Sequence, residues 1–218
     1  MVSHRIANPS NRNVVWVRPP VAPPNMLFID IERINYMDRT ERQAHGFTFE
    51  DYIINKYSIQ KSSDYTAKWD GILNGFPVSI KCEKYKSDIE LADFTRNANN
   101  TDDFYLIVGF WDGVKTNIVE EHILFIKGQE WHELFPSHFI EDFKTMLNSV
   151  TNNYSDDVKW KNLVTEQRKR WKKETNNLIR PRFKRDHKTQ KRVQCAINYK
   201  DFHSYFIPKY EVLDVGRN

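Results

Sequence analysis

Cysteine and glycine are both scarce in this chain: two Cys and seven Gly among 218 residues. Two thiols cannot build a disulfide framework, and Cys82 and Cys195 read as small packed side chains. No Cys-x-x-Cys pair and no His-rich group at zinc spacing occurs, so no structural zinc is expected. A Gly-rich phosphate loop is also missing, which argues against a nucleotide cofactor. No apolar run approaches the ~20 residues that span a bilayer, and residues 1–6 lack the apolar segment of a signal peptide. The expectation is a soluble, intracellular (cytoplasmic) protein with no membrane partner. There is no internal repeat.

Aromatic side chains and unevenly placed charge are what the chain does have. Aromatics make up 14% and apolar residues 39%, enough to fill one substantial core. The net charge of +4 conceals an asymmetry. Residues 151–200 hold fifteen Lys and Arg against five Asp and Glu, a net of +10, and the remainder, eighteen against twenty-four, is −6. Concentrated positive charge of this kind suits a surface that approaches a polyanion.

The segment 70–81, Asp-Gly-Ile-Leu-Asn-Gly-Phe-Pro-Val-Ser-Ile-Lys, carries the chemistry. Asn74-Gly75 is a two-residue turn signal, because both central positions of a type I′ turn need positive φ. That turn predicts Leu73 facing Phe76, Gly71 facing Val78 and Asp70 directly across from Ser79, with Lys81 on the diagonal from Asp70. Val78, Ile80 and Cys82 alternate with Ser79, Lys81 and Glu83, so an apolar and a polar face are separated. A carboxylate at Asp70 can hold a hard cation such as Mg²⁺, and Lys81 can orient water or neutralise charge on a phosphoryl group.

This arrangement resembles the PD-(D/E)XK nuclease superfamily, whose motif sets an Asp on one hairpin strand and acid-x-Lys on the other. The matching residues are Asp70, Ser79 and Lys81; Trp69 stands where the motif's proline often does, and Ser79 replaces the acid. The resemblance covers about residues 46–110 and is closest to type II restriction endonucleases with a Ser-x-Lys variant. In those enzymes an acid about a dozen residues later, on the following helix, replaces the missing ligand. Asp93 stands at that distance, and Glu83, on the strand face of Lys81, is an alternative. Ser87-Asp88-Ile89-Glu90 reads as a capping box for that helix, which would engage Glu90 with the backbone. The superfamily also carries a Glu on a helix before the Asp strand. Glu50 fits, since Phe49, Ile53 and Tyr57 recur at helical spacing.

The resemblance implies an α/β fold with a restriction-endonuclease-like core, a central mixed β-sheet flanked by helices, and a basic helical and strand C-terminal extension. Residues 1–45 read as an N-terminal arm, Pro-rich at 19–24, and a supporting helix from about Asn25 to Arg42. Residues 46–150 form the nuclease core, and 151–218 a basic DNA-binding extension packed on it as one domain. Strands are expected at 104–110 and 118–126, with Asp112-Gly113 as the turn between them, and helices from about 129 to Pro136 and from 137 to 147. Ser155-Asp156-Asp157 should cap a long helix that buries Trp160, Val164 and Trp171.

The cations expected to hold DNA are Lys169, Arg170, Lys173, Arg182, Lys184, Arg185, Lys188, Lys191 and Arg192. Arg192, Gln194 and Gln190 on a strand over 192–199 are candidates to read bases. His45, His122, His132 and His138 are scattered and read as surface or locally bonded. The function expected by resemblance is Mg²⁺-dependent hydrolysis of double-stranded DNA at a short site, leaving 5′-phosphates, by a homodimer matched to a palindrome. Asp70, Glu50 and one of Asp93 or Glu83 would hold the metal. Alternatives are a repair, recombination or homing nuclease on the same core, and a DNA-binding protein with a degenerate core.

Overall fold

Helical spacing of Phe49 and Ile53, and the Asn-Gly turn that follows, organise the first half of the fold. In the computed structural model, the described residues are 41–62, 68–112, 117–150, 156–185 and 191–213. The Pro-rich arm, the expected helix up to residue 40, Gly113, Ser155, Lys188 and Gln190 lie outside them, as does the side chain of His45.

Helix α1 (Glu41–Lys56) carries Glu50 as the helical spacing predicts, and buries Phe49 and Ile53 against the sheet. Strands β1 (Gln60–Lys61), β2 (Gly71–Leu73) and β3 (Phe76–Lys84) form an antiparallel meander. Asn74 and Gly75 both have positive φ, 51° and 82°, as the turn requires. The chain then passes through β4 (Ile89–Asp93) and α2 (Phe94–Ala98) to β5 (Phe104–Trp111), which lies parallel to β3. Antiparallel β6 (Ile118–Ile126) completes a five-stranded mixed sheet in the order β1-β2-β3-β5-β6.

One face of that sheet packs Val78, Ile80, Tyr105, Ile107 and Ile123 against α1. The other packs Leu106, Val108, Phe110, Leu124 and Ile126 into a larger core with Phe94, Trp131, Phe139, Trp171 and Phe202. Around that core stand α3 (Gly128–His132), α4 (Ser137–Asn148) and α5 (Asp157–Glu174). The C-terminal region adds β7 (Ile179–Arg185) and β8 (Lys191–Ile197), then short helical turns α6 (Tyr199–Asp201) and α7 (Ile207–Tyr210) on either side of a π-helical turn, Phe202–Phe206. Among the described residues no helix is long and apolar enough to cross a membrane.

Three local expectations are corrected. Ser87-Asp88-Ile89-Glu90 does not cap a helix, because Ile89 opens β4 and pairs with Ile197 of β8. Buried Ile89 and Leu91 alternate with Glu90, and a partner strand from the far end of the chain overrides the local capping signal. The helix starts instead after Asp93, whose carboxylate accepts the Arg96 N–H at 2.8 Å. At α5, Asp156 occupies the N-cap position without a side-chain cap bond. The expected strand to Tyr199 stops at Ile197, because Asn198 turns to cap α6 by accepting the Lys200 N–H.

A candidate active site where the hairpin ladder ends

Among the described residues, the short β2 leaves part of β3 without a paired strand on that side, and Asp70 and Lys81 stand at this notch. The regular pairing stops at Gly71 and Val78. Asp70 therefore does not sit across from Ser79 in the ladder, as the turn register predicted. Its own N–H goes to the Val78 carbonyl at 2.9 Å, and its Oδ2 reaches past Ser79 to accept the Ile80 N–H at 2.6 Å. A carboxylate thus satisfies a strand amide that β2 is too short to meet. Lys81 Nζ stands 3.7 Å from the same Oδ2 and donates to the Ile80 carbonyl at 3.0 Å. The diagonal pairing of Asp70 and Lys81 is as expected.

Glu50 joins this pair from α1. Burial raises its pKa above the ordinary carboxylate value, and the nearby negative charge of Asp70 raises it further. Lys61 Nζ, 3.5 Å from Glu50 Oε1 and 2.7 Å from Asp51 Oδ1, opposes that shift. Gly109 makes the placement possible. A Cβ there would lie 2.3 Å from the Phe49 ring, so only glycine lets Phe49 lie directly against β5 and bring Glu50 to the hairpin.

The remaining acids are engaged elsewhere. Glu83 Oε1 accepts the Glu90 N–H at 3.1 Å, tying β3 to β4, and Asp93 caps α2. Ser79 is half-buried on β3, in register with Leu106. Cys195 is fully buried, and burial pushes the half-buried Cys82 thiol up to about 12, so neither is a thiolate nucleophile.

The cations of 151–200 divide into two groups. Lys159, Lys161, Arg168, Lys169, Lys172 and Lys173 are exposed along α5. Others brace the fold: Arg182 pairs with Asp88 and lies 3.8 Å from Glu90, Arg185 pairs with Asp157, and Arg170 pairs with Asp142 and Glu174. Lys191 donates to the Leu147 carbonyl. Lys184 pairs in register with the exposed Arg192, and Arg182 with Gln194, across the β7–β8 hairpin.

A second cluster gave no signal in the sequence. Glu120 and His122 on β6 meet His203 of the π-helical turn, with their donor atoms within 4.8 Å of one another. The local pattern is Glu-x-His on one strand face; its third member is 81 residues further on and becomes a neighbour only through the fold. No protein-family model, curated protein or solved structure matches this chain.

Proposed function

We propose that this chain is a Mg²⁺-dependent endonuclease of double-stranded DNA on a restriction-endonuclease-like core, acting as a homodimer at a short palindromic site and leaving 5′-phosphate ends. The observation that carries this reading is the 3.7 Å approach of Lys81 Nζ to Asp70 Oδ2, beside which burial and then the nearby charge of Asp70 disfavour the charged form of Glu50. The order of helix, antiparallel meander, crossover and parallel strand supports it.

The residues present fit a hard cation: two partly buried carboxylates repel each other, and a divalent ion between them would remove that penalty. Asp70 and Glu50 would hold it, and when bound it supplies charge that polarises a phosphoryl oxygen and acidifies water. Lys81 faces the same notch and neutralises charge that builds on the phosphate. The exposed α5 cations hold phosphates on either side of the scissile bond.

A second reading rests on the same notch. Asp70 Oδ2 is taken by a strand amide, Asp93 by a helix N-terminus and Glu83 by the Glu90 N–H, while Ser79 offers no carboxylate. Those contacts suit a degenerate core that binds DNA without cutting it. Incubating the protein with long duplex DNA of known sequence, with Mg²⁺ and with chelator, separates the two. Discrete Mg²⁺-dependent fragments, absent with Asp70→Ala and Lys81→Ala, support the nuclease; intact DNA with retained salt-sensitive binding overturns it in favour of binding alone.

A further inference from the structure

Strand alternation places Glu120 and His122, two residues apart on β6, on the same face. The π-helical turn Phe202–Phe206 carries His203 to them, and such turns are frequent at functional sites. Glu120 Oε2 lies 3.1 Å from His203 Nε2 and 3.6 Å from His122 Nε2. Donors around a tetrahedral Zn²⁺, each ~2.0–2.1 Å from the ion, stand roughly 3.3 Å apart, so these spacings bracket what one ion needs.

Two further observations point to a ligand. Both Nε2 atoms are shielded from solvent and make no hydrogen bond, a costly state for an imidazole nitrogen pair facing one carboxylate. The surrounding polar contacts are those that orient metal ligands: Glu211 Oε1 stands 2.7 Å from His122 Nδ1, and the Tyr199 hydroxyl donates to Glu120 Oε1 at 3.1 Å. Ring packing holds the imidazoles in place, His122 against Phe202 at 5.6 Å and His203 against Tyr199 at 4.3 Å.

We propose that Glu120, His122 and His203 form a binding site for a transition-metal ion, Zn²⁺ in the first instance, distinct from the Asp70–Lys81 notch. Two imidazoles and one carboxylate are a borderline donor set that favours Zn²⁺ over Mg²⁺. Glu120 and His203 remain a quarter to a third exposed, so solvent can supply the fourth ligand. Nothing in the site depends on the nuclease reading.

Titration of the metal-stripped full chain with ZnCl₂, followed by calorimetry and thermal melting, tests this. The expected result is one equivalent bound, a raised Tm, at least a hundredfold weaker binding in His203→Ala and His122→Ala, and about ten- to hundredfold weaker binding in Glu211→Gln. Asp70→Ala should bind Zn²⁺ as the parent does. If a histidine variant does not fold, Co²⁺ substitution in the parent chain gives the answer, since one equivalent should develop visible absorption bands of a low-symmetry site. Failure of the parent chain to take up one equivalent, or equal affinity in folded histidine variants, would overturn the site.

Discussion

Lys81 Nζ stands 3.7 Å from Asp70 Oδ2 while that same oxygen accepts the Ile80 N–H at 2.6 Å. One carboxylate thus serves both the strand edge and the site. Asp70→Ala should therefore abolish Mg²⁺-dependent cleavage and also destabilise the fold by about 1–3 kcal/mol, because the Ile80 amide loses its acceptor. Lys81→Ala should abolish cleavage with a much smaller loss of stability. Chemical denaturation of both variants, beside the cleavage assay, checks the contrast; equal stability losses would show that the notch is not divided in this way.

Glu50 should leave a signature in the pH dependence of stability. Its folded pKa is raised, so the folded chain holds that proton more tightly than the unfolded chain. The stability this contributes is complete below the unfolded pKa and is lost as pH rises through the folded value. Melting temperature measured from below the ordinary Glu pKa upward should fall across that window more steeply in the parent than in Glu50→Gln. Mg²⁺ competes with the proton, so its stabilising effect should grow as pH rises through the same window. Parallel pH profiles for parent and variant would remove the Glu50 assignment.

The basic region should separate by substitution. Lys169→Ala, Lys172→Ala and Lys173→Ala combined should weaken DNA binding, with Tm unchanged, and should reduce the salt slope by about 0.9 for each phosphate no longer neutralised. Arg182→Ala should instead cost about 2 kcal/mol of stability, because it strips a charged partner from Asp88 and Glu90 at the start of β4. A salt-slope change in Arg182→Ala without a drop in Tm would reassign Arg182 to the DNA.

Gly109→Ala tests how the sheet positions α1. Its new methyl would meet the Phe49 ring, and the strain should cost about 1–3 kcal/mol. Because Phe49 adjoins Glu50, cleavage should fall by more than the fraction unfolded explains. Phe49→Leu in the same background should restore part of both, as read by melting and by initial rates.

The hairpin, β5 and β6 were legible because their signals are local: Asn74-Gly75 sets the turn, Val78 to Glu83 alternate, and Phe104 to Phe110 are continuously apolar. The Asp70–Lys81 pairing followed from that register. Asp70's exit from the ladder did not, since it depends on β2 stopping at Gly71. Strand β4 was hidden because Ser87 to Glu90 spells a helix start, while its partner, β8, lies about a hundred residues away. The Glu120, His122 and His203 cluster was invisible for the same reason, two histidines on different elements carrying no shared spacing. The ion pairs of Arg182 with Asp88 and Arg185 with Asp157 were not legible, because sequence shows charge and not the distant carboxylate that the fold sets beside it.

The pairing of Ile89 with Ile197 has a consequence for the order of synthesis. A chain emerging from its N-terminus has β1 to β3 and β5 available early, but the strand between them has no partner until β8, Lys191–Ile197, has been made. The crossover must then wait for β8 to arrive, with the backbone N–H and C=O groups of β4 unpaired along that edge. A nascent or truncated chain ending before residue 191 would expose that unpaired strand edge, and chaperone demand should be set by the C-terminal region, although the hairpin lies in the first half.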